Sequence, residues 1–154
     1  MTYNGAEGVV MILDNRTTAM TGHQGNPGSG LRADLTEGPA IDIERMCDGM
    51  GIRCVTVDAA DYPALKAALK AEIDAPGLGV IVALAPCALM VREKLGDIVV
   101  DDERCNVCGL CLDIGCPAIA PEADTVSIMD GCTGCGLCIA VCRRGALSSA
   151  EGAP

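Results

Sequence analysis

Three short apolar runs, set between amphipathic stretches, organise the first half of the chain. Val9-Val10-Met11-Ile12-Leu13, bounded by Gly8 and Asp14, has the length and continuity of a buried strand. Arg53 to Asp58 alternates towards Val55 and Val57 as a second strand, and Gly79 to Leu84 is a further unbroken apolar run. Between them, Ile41 to Gly49 carries Ile41, Arg45 and Met46 at helical spacing behind Pro39, with Gly49 and Gly51 available to end a short helix. Asp61 is placed to cap a longer helix running through Ile73, with Leu65, Ala68 and Leu69 turned inward. The order strand, loop, helix, strand, helix, strand predicts an α/β unit with a parallel, helix-covered sheet.

The segment from Asp14 to Gly38 is rich in glycine and small polar residues, which predicts a long loop without regular structure. So long a loop on a compact domain is usually functional. After Leu84 the chain leaves the sheet through Pro86 and a short basic stretch, Arg92 and Lys94, placing a domain boundary near residue 97. Residues 1–96 then form the α/β domain and residues 97–154 a second, smaller one. The tail holds two cysteine-rich segments, Cys105 to Cys116 and Cys132 to Cys142, with short apolar pieces at Ile98–Val100, Val126–Met129 and Ala146–Leu147. This is an internal repeat of about 27 residues.

Composition narrows the partners. Half of the residues are hydrophobic, yet there is no Phe or Trp and only two Tyr, so the cores are built from Val, Ile, Leu, Met and Ala. A formal net charge of -10 repels nucleic acid and anionic lipid, so neither is expected as a partner. The longest apolar stretch, Val80 to Val91, is interrupted by Pro86 and falls well short of the roughly 20 residues that cross a bilayer. No secretory signal is recognisable, and a reducing cytoplasm fits best. In that setting 11 cysteines point to metal or redox chemistry before disulfides.

Eight of the cysteines fall in the tail. The first segment reads Cys105-x2-Cys108-x2-Cys111-x4-Cys116-Pro117 and the second Cys132-x2-Cys135-x2-Cys138-x3-Cys142. Three closely spaced thiolates can hold three corners of one cubane cluster. Zinc modules combine two Cys-x2-Cys pairs and have no use for a third cysteine in each run, so zinc is the weaker reading. Gly109, Gly134 and Gly136 suit close approach of backbone amides to cluster sulfurs, or are ordinary turn glycines.

The tail resembles bacterial-type 2[4Fe-4S] ferredoxins. That resemblance implies crossed ligation, with the fourth thiolate of each cubane supplied by the other segment. Cys105, Cys108, Cys111 and Cys142 would hold cluster 1, and Cys132, Cys135, Cys138 and Cys116 cluster 2. Two departures stand out: four residues instead of three precede Cys116, and Arg143 stands where a proline is usual. Neither removes a ligand.

The N-terminal loop carries a second resemblance. Leu13-Asp14-Asn15-Arg16-Thr17-Thr18-Ala19-Met20-Thr21-Gly22-His23-Gln24, followed by Asn26-Pro27-Gly28, closely resembles the thiamine-diphosphate site of indolepyruvate:ferredoxin oxidoreductase α subunits. The likeness extends through Ala85-Pro86-Cys87 and the ferredoxin-like tail, so it covers nearly the whole chain. It implies a partial parallel-sheet thiamine-diphosphate-binding domain followed by a small α+β 2[4Fe-4S] ferredoxin-like domain. It also implies that the Asn15 side-chain oxygen and the Thr17 carbonyl coordinate Mg²⁺, while Thr18, Met20, Thr21 and Gly22 line the cofactor. Without the likeness, the same residues read equally well as an Asx-turn in a threonine-rich surface loop. His23, the single histidine, is a candidate for moving protons beside the cofactor or for holding the loop by hydrogen bonding. Cys47, Cys54 and Cys87 read as small buried hydrophobes rather than ligands.

Enzymes of the family also use a Gly-Asp-Gly motif upstream of the asparagine, and none occurs in this chain. The expectation is therefore the C-terminal quarter of a longer subunit, or one product of a split gene, with Met1 at an internal position. Its partners would be the missing N-terminal part, the β subunit, an external ferredoxin, coenzyme A and a 2-oxoacid. The implied activity is oxidative decarboxylation of indolepyruvate or another aryl-pyruvate to an acyl-CoA, with no turnover by the isolated chain. The rival reading is a stand-alone ferredoxin-type electron carrier with a vestigial α/β domain.

Overall fold

The apolar runs form a three-stranded sheet in the computed structural model, which describes residues 1–91 and 95–150. The basic stretch at Arg92 and Lys94 lies outside the described residues. Strands β1 (Gly8–Asp14), β2 (Arg53–Asp58) and β3 (Leu78–Leu84) are parallel and lie in the order β1-β3-β2. The last strand in sequence is thus central. Gly79 to Ala83 are buried on both faces, as an unbroken apolar run requires.

Helices α1 (Ile43–Gly49) and α2 (Tyr62–Asp74) connect the strands. From β1 the chain passes over β3 to β2 and then turns back, so two right-handed crossovers put the helices on opposite faces. Side chains agree. A Cβ at Gly79 would collide with the Glu72 carboxylate of α2, so α2 covers the face that Gly79 shares with Ile81 and Ala83. On the other face Cys54 of β2 meets Cys47 of α1. Glu44 of α1 also accepts a hydrogen bond from the Thr56 amide at 2.9 Å.

Both helices are capped as their sequences dictate. Asp42 accepts from the Arg45 amide and Asp61 from the Ala64 amide, each at 3.0 Å. Helix α1 ends in a Schellman motif, with the Ile52 amide on the Cys47 carbonyl and the Gly51 amide on that of Asp48. This ending requires the left-handed φ of 69° that Gly51 supplies. The inward face of α1 corrects the sequence expectation: Ile41 precedes the helix, Arg45 and Met46 are exposed, and Cys47 is the residue it buries. In α2, Leu65, Ala68 and Leu69 are half-buried on the inner side.

The chain divides into two compact units, Met1–Val91 and Arg92–Pro154. In the second, β4 (Ile98–Val100) pairs antiparallel with β7 (Leu147–Ser149), and β5 (Ile119–Pro121) with β6 (Val126–Ile128). A five-residue helix, α3 (Leu137–Val141), precedes β7. Neither β5 nor α3 was expected from the sequence. The core consists of Ile98, Cys111, Val126, Cys138 and Leu147. Each half of the repeat thus contributes its third cysteine to the same core. Among the described residues no helix is long and apolar enough to cross a membrane.

Candidate functional site

In the second unit the loop from Cys105 to Leu110 and the turn from Cys142 to Leu147 line a small cavity of about 20 Å³. Cys105, Cys108, Cys111 and Cys142 all line it, with Val126, Arg144 and Leu147 completing the wall. Cys142 is thereby brought to the run whose last cysteine, Cys111, lies 31 positions earlier in sequence. A cubane binds one thiolate at each of four separate irons, and here four cysteines from two separate stretches of chain line one cavity.

Backbone amides face the sulfurs. The Ala146 amide donates to Cys142 Sγ at 3.3 Å and the Gly134 amide to Cys132 Sγ at 3.4 Å. Burial alone works against the Cys142 thiolate, but amides of Ala146, Leu147, Arg144 and Gly145 outweigh it and lower the pKa. Cys138, the core thiol of the second run, is pushed up to about 11, by burial first and then by Cys135 and Cys132. Burial also raises Cys111, with its neighbours Cys142, Cys105 and Cys108 adding to the rise. Bound iron would reverse this bias, since a coordinated thiol is deprotonated outright. Gly134 has a φ of 76°, and a Cβ there would strike the Gly96 backbone, so only glycine fits.

In the first unit, β1 delivers its loop at the carboxyl end of the parallel sheet, where open α/β folds place ligands. Asn15 Oδ1 accepts from the Thr17 amide at 3.2 Å, closing an Asx-turn. Thr17 is buried, and its hydroxyl donates to the Gln24 carbonyl at 3.3 Å. The Thr18 amide reaches the same carbonyl at 2.9 Å and forms an isolated bridge with Gln24. A second bridge joins Leu31 and Glu37, so the loop is braced although it holds no helix or strand. The amides of Ala85 and Cys87 then bond the carbonyls of Asp14 and Asn15, each at 3.0 Å, fastening the loop to the segment after β3.

Thr18, Met20, Thr21 and Gly22 lie together on the exposed side of this loop, with the Met20 side chain almost wholly in solvent. Asn15 and Thr17 offer two oxygens from one turn, a donor set that fits part of the oxygen shell of Mg²⁺. His23 adopts a left-handed φ of 61°, and its Nε2 lies 3.9 Å from Cys87 Sγ. The expectation of a small buried hydrophobe at Cys87 does not hold. The residue is half-buried and faces the single histidine, a contact across 64 positions that no local pattern announces. Arg16 was also passed over: it ties Asp14 at 3.6 Å to the Gly28 carbonyl at 3.0 Å, bracing both limbs of the loop.

The braced loop lies in the first unit and the thiol-lined cavity in the second, and each unit matches a known family. Residues 1–83 match the C-terminal TPP binding domain of thiamine pyrophosphate enzymes, more than half of the chain, and the chain belongs to that family. Residues 126–148 match the 4Fe-4S binding domain. Thiamine diphosphate and [4Fe-4S] clusters are therefore the cofactors of its two units.

Among curated proteins, the indolepyruvate oxidoreductase subunit IorA of Archaeoglobus fulgidus is 35% identical over 157 residues, covering 97% of this chain and 25% of that protein. The IorA subunit of Methanothermobacter marburgensis is 36% identical over 149 residues, covering 94% of this chain and 24% of its own length. That of Pyrococcus horikoshii is 35% identical over 158 residues, with 94% and 24% covered. The chain thus spans about a quarter of the length of these relatives. No solved structure matches it.

Proposed function

We propose that this chain is the electron outlet and part of the diphosphate cradle of a 2-oxoacid:ferredoxin oxidoreductase acting on indolepyruvate or another aryl-pyruvate. The observation that carries this reading is the thiol-lined cavity downstream of an Asn15–Thr17 loop, in a chain aligned along nearly its whole length with IorA subunits. Thiamine diphosphate, when bound, supplies the carbanion-stabilising chemistry that oxidative decarboxylation of a 2-oxoacid requires. Asn15 Oδ1 and the Thr17 carbonyl would be oxygen ligands of the Mg²⁺ that anchors the diphosphate. Thr18, Met20, Thr21 and Gly22 line the cofactor, with Met20 giving an apolar cover that excludes water. His23 holds or moves a proton at Nε2, steadied by Cys87.

Cys105, Cys108, Cys111 and Cys142 would hold one cubane, and Cys132, Cys135, Cys138 and Cys116 the other. When bound, the clusters would supply one-electron transfer toward an external ferredoxin, and coenzyme A would accept the acyl group. The partners in this reading are a polypeptide carrying the rest of the α subunit and a β subunit, in a reducing cytoplasm. The chain divides at residue 97 into the cofactor-binding and ferredoxin-like domains.

Reconstitution with iron and sulfide should load two cubanes, seen in the visible and EPR spectra. Calorimetric titration with Mg²⁺ and thiamine diphosphate should show binding only when the upstream polypeptide is co-expressed. Absence of cofactor binding in every assembly, with rapid electron exchange by the lone chain, would instead identify a ferredoxin-type carrier. Turnover by the isolated chain would refute the need for an upstream part.

A further inference from the structure

Arg16 stands between the two residues proposed to hold the metal, and its backbone is left-handed, with a φ of 61°. An L side chain in that region crowds its own carbonyl, so the conformation ordinarily favours glycine. It matters here because the dihedrals of Arg16 fix how the Thr17 peptide is turned towards the Asn15 side chain. In this bend the Thr17 amide reaches Asn15 Oδ1 at 3.2 Å, which leaves that oxygen a second lone pair. Among the described residues no hydrogen bond engages the Thr17 carbonyl.

The arginine is held in this shape at both ends. Asp14 Oδ1 accepts from the Arg16 amide at 2.9 Å, and Asp14 Oδ2 lies 3.6 Å from Arg16 Nε. The guanidinium also donates to the Gly28 carbonyl at 3.0 Å, on the far limb of the loop. That limb is itself fixed: Asn26 Oδ1 accepts from the Ser29 amide and Ser29 Oγ from the Asn26 amide, both at 2.9 Å. An exposed ion pair alone would contribute little, but the Asp14 side chain is only 16% exposed and the carbonyl bond adds a second anchor.

We propose that Arg16, paired with Asp14, sets the Mg²⁺ affinity of this turn by holding the Asn15 side chain and the Thr17 carbonyl in one arrangement. This rests on the cradle reading above. A cation that demands near-octahedral oxygens then meets two that need no ordering. The guanidinium charge would oppose a nearby cation, and the Asp14 carboxylate offsets it. Arg16 acts through Asn15 and Thr17, so it is a positioning residue.

The test is a Mn²⁺ titration followed by EPR, with Mn²⁺ standing in for Mg²⁺, on the assembly with the upstream polypeptide at saturating thiamine diphosphate. Arg16→Gly keeps the left-handed backbone but removes both ties. It should weaken Mn²⁺ binding by about 10-fold, the scale on which residues supporting metal ligands act, and broaden the Mn²⁺ lines as the ligand shell becomes heterogeneous. Arg16→Lys keeps the charge without the planar fork and should lose less; its weakening decides the matter if the glycine variant does not fold. Unchanged or tighter binding overturns the proposal alone. So does a fall in thermal stability with Mn²⁺ affinity and spectrum unmoved, which would make Arg16 a brace of the loop only. Failure of the wild-type assembly to bind Mn²⁺ with thiamine diphosphate overturns the cradle reading and the proposal with it.

Discussion

The two units bury their interiors by different means. In the first, aliphatic side chains close on one another: Ile81 is wholly inaccessible at the centre of the sheet, paired in register with Met11 and Val55. In the second, two of the five core residues are thiols, Cys111 and Cys138, beside Ile98, Val126 and Leu147. What remains open also differs. The first unit leaves an edge: among the described residues β1 pairs only with β3, and Leu13 on that strand is 77% exposed. In the second, the thiols of Cys105, Cys108, Cys111 and Cys142 line a small cavity. A unit this small, with no aromatic residue to fill it, gains its missing core from a bound group, as small metal-dependent domains do.

Cys111→Ser should break this contrast most severely. It takes a proposed ligand and a core residue at once, so the visible absorption of the first cluster should vanish and the second unit lose cooperative unfolding. The sheet should persist, as limited proteolysis followed by mass spectrometry can show. An unchanged spectrum would sink the assignment.

Ile81→Ala should do the converse. Truncating a fully buried isoleucine typically costs about 2–5 kcal/mol, here confined to the first unit, with the cluster spectrum intact. Chemical denaturation followed by far-UV circular dichroism and by visible absorption separates the two responses, and a parallel fall in both would show the units to be coupled.

Gly134→Ala forces a side chain into a left-handed position against the Gly96 backbone. Strain of roughly 1–3 kcal/mol is expected, with loss of the amide bond to Cys132 Sγ. The second cluster should become the more labile on exposure to a chelator, while the first stays. Equal lability of both would contradict the local account.

The smallest effect is a pH dependence in the first unit. Burial, then the hydrogen bond and charge of Cys47, raise the Cys54 thiol from 9.0 to about 11. Below pH 9.0 both folded and unfolded chains keep this proton. Between 9.0 and about 11 the unfolded chain releases it and the folded one does not, so stability falls as pH rises through that window. Cys54→Ala should flatten the fall; a denaturation midpoint with the same slope in both chains would count against it.

Much of this architecture was legible before any coordinates. Arg53–Asp58 and Ile98–Val100 coincide with predicted segments, because short β-rich runs between turn residues carry their own signal. Helix α2 likewise begins after its aspartate cap. What escaped was too short or too distant to have a period. Five residues of α3 and three of β5 span barely one repeat of their patterns. The two turns of α1 left its inward face ambiguous until Cys54 stood opposite Cys47.

The sequence by itself determined the parallel α/β character, the two cysteine runs and the Asn15–Thr17 turn, since each is written in residues close along the chain. Tertiary structure decided the order β1-β3-β2, the meeting of Cys142 with the first run, the facing of His23 and Cys87, and the tie of Arg16 to Gly28. The physical reason is common to all four. Each joins groups from separate stretches of chain, and such contacts form only when the whole unit packs to bury its apolar faces and satisfy its amides.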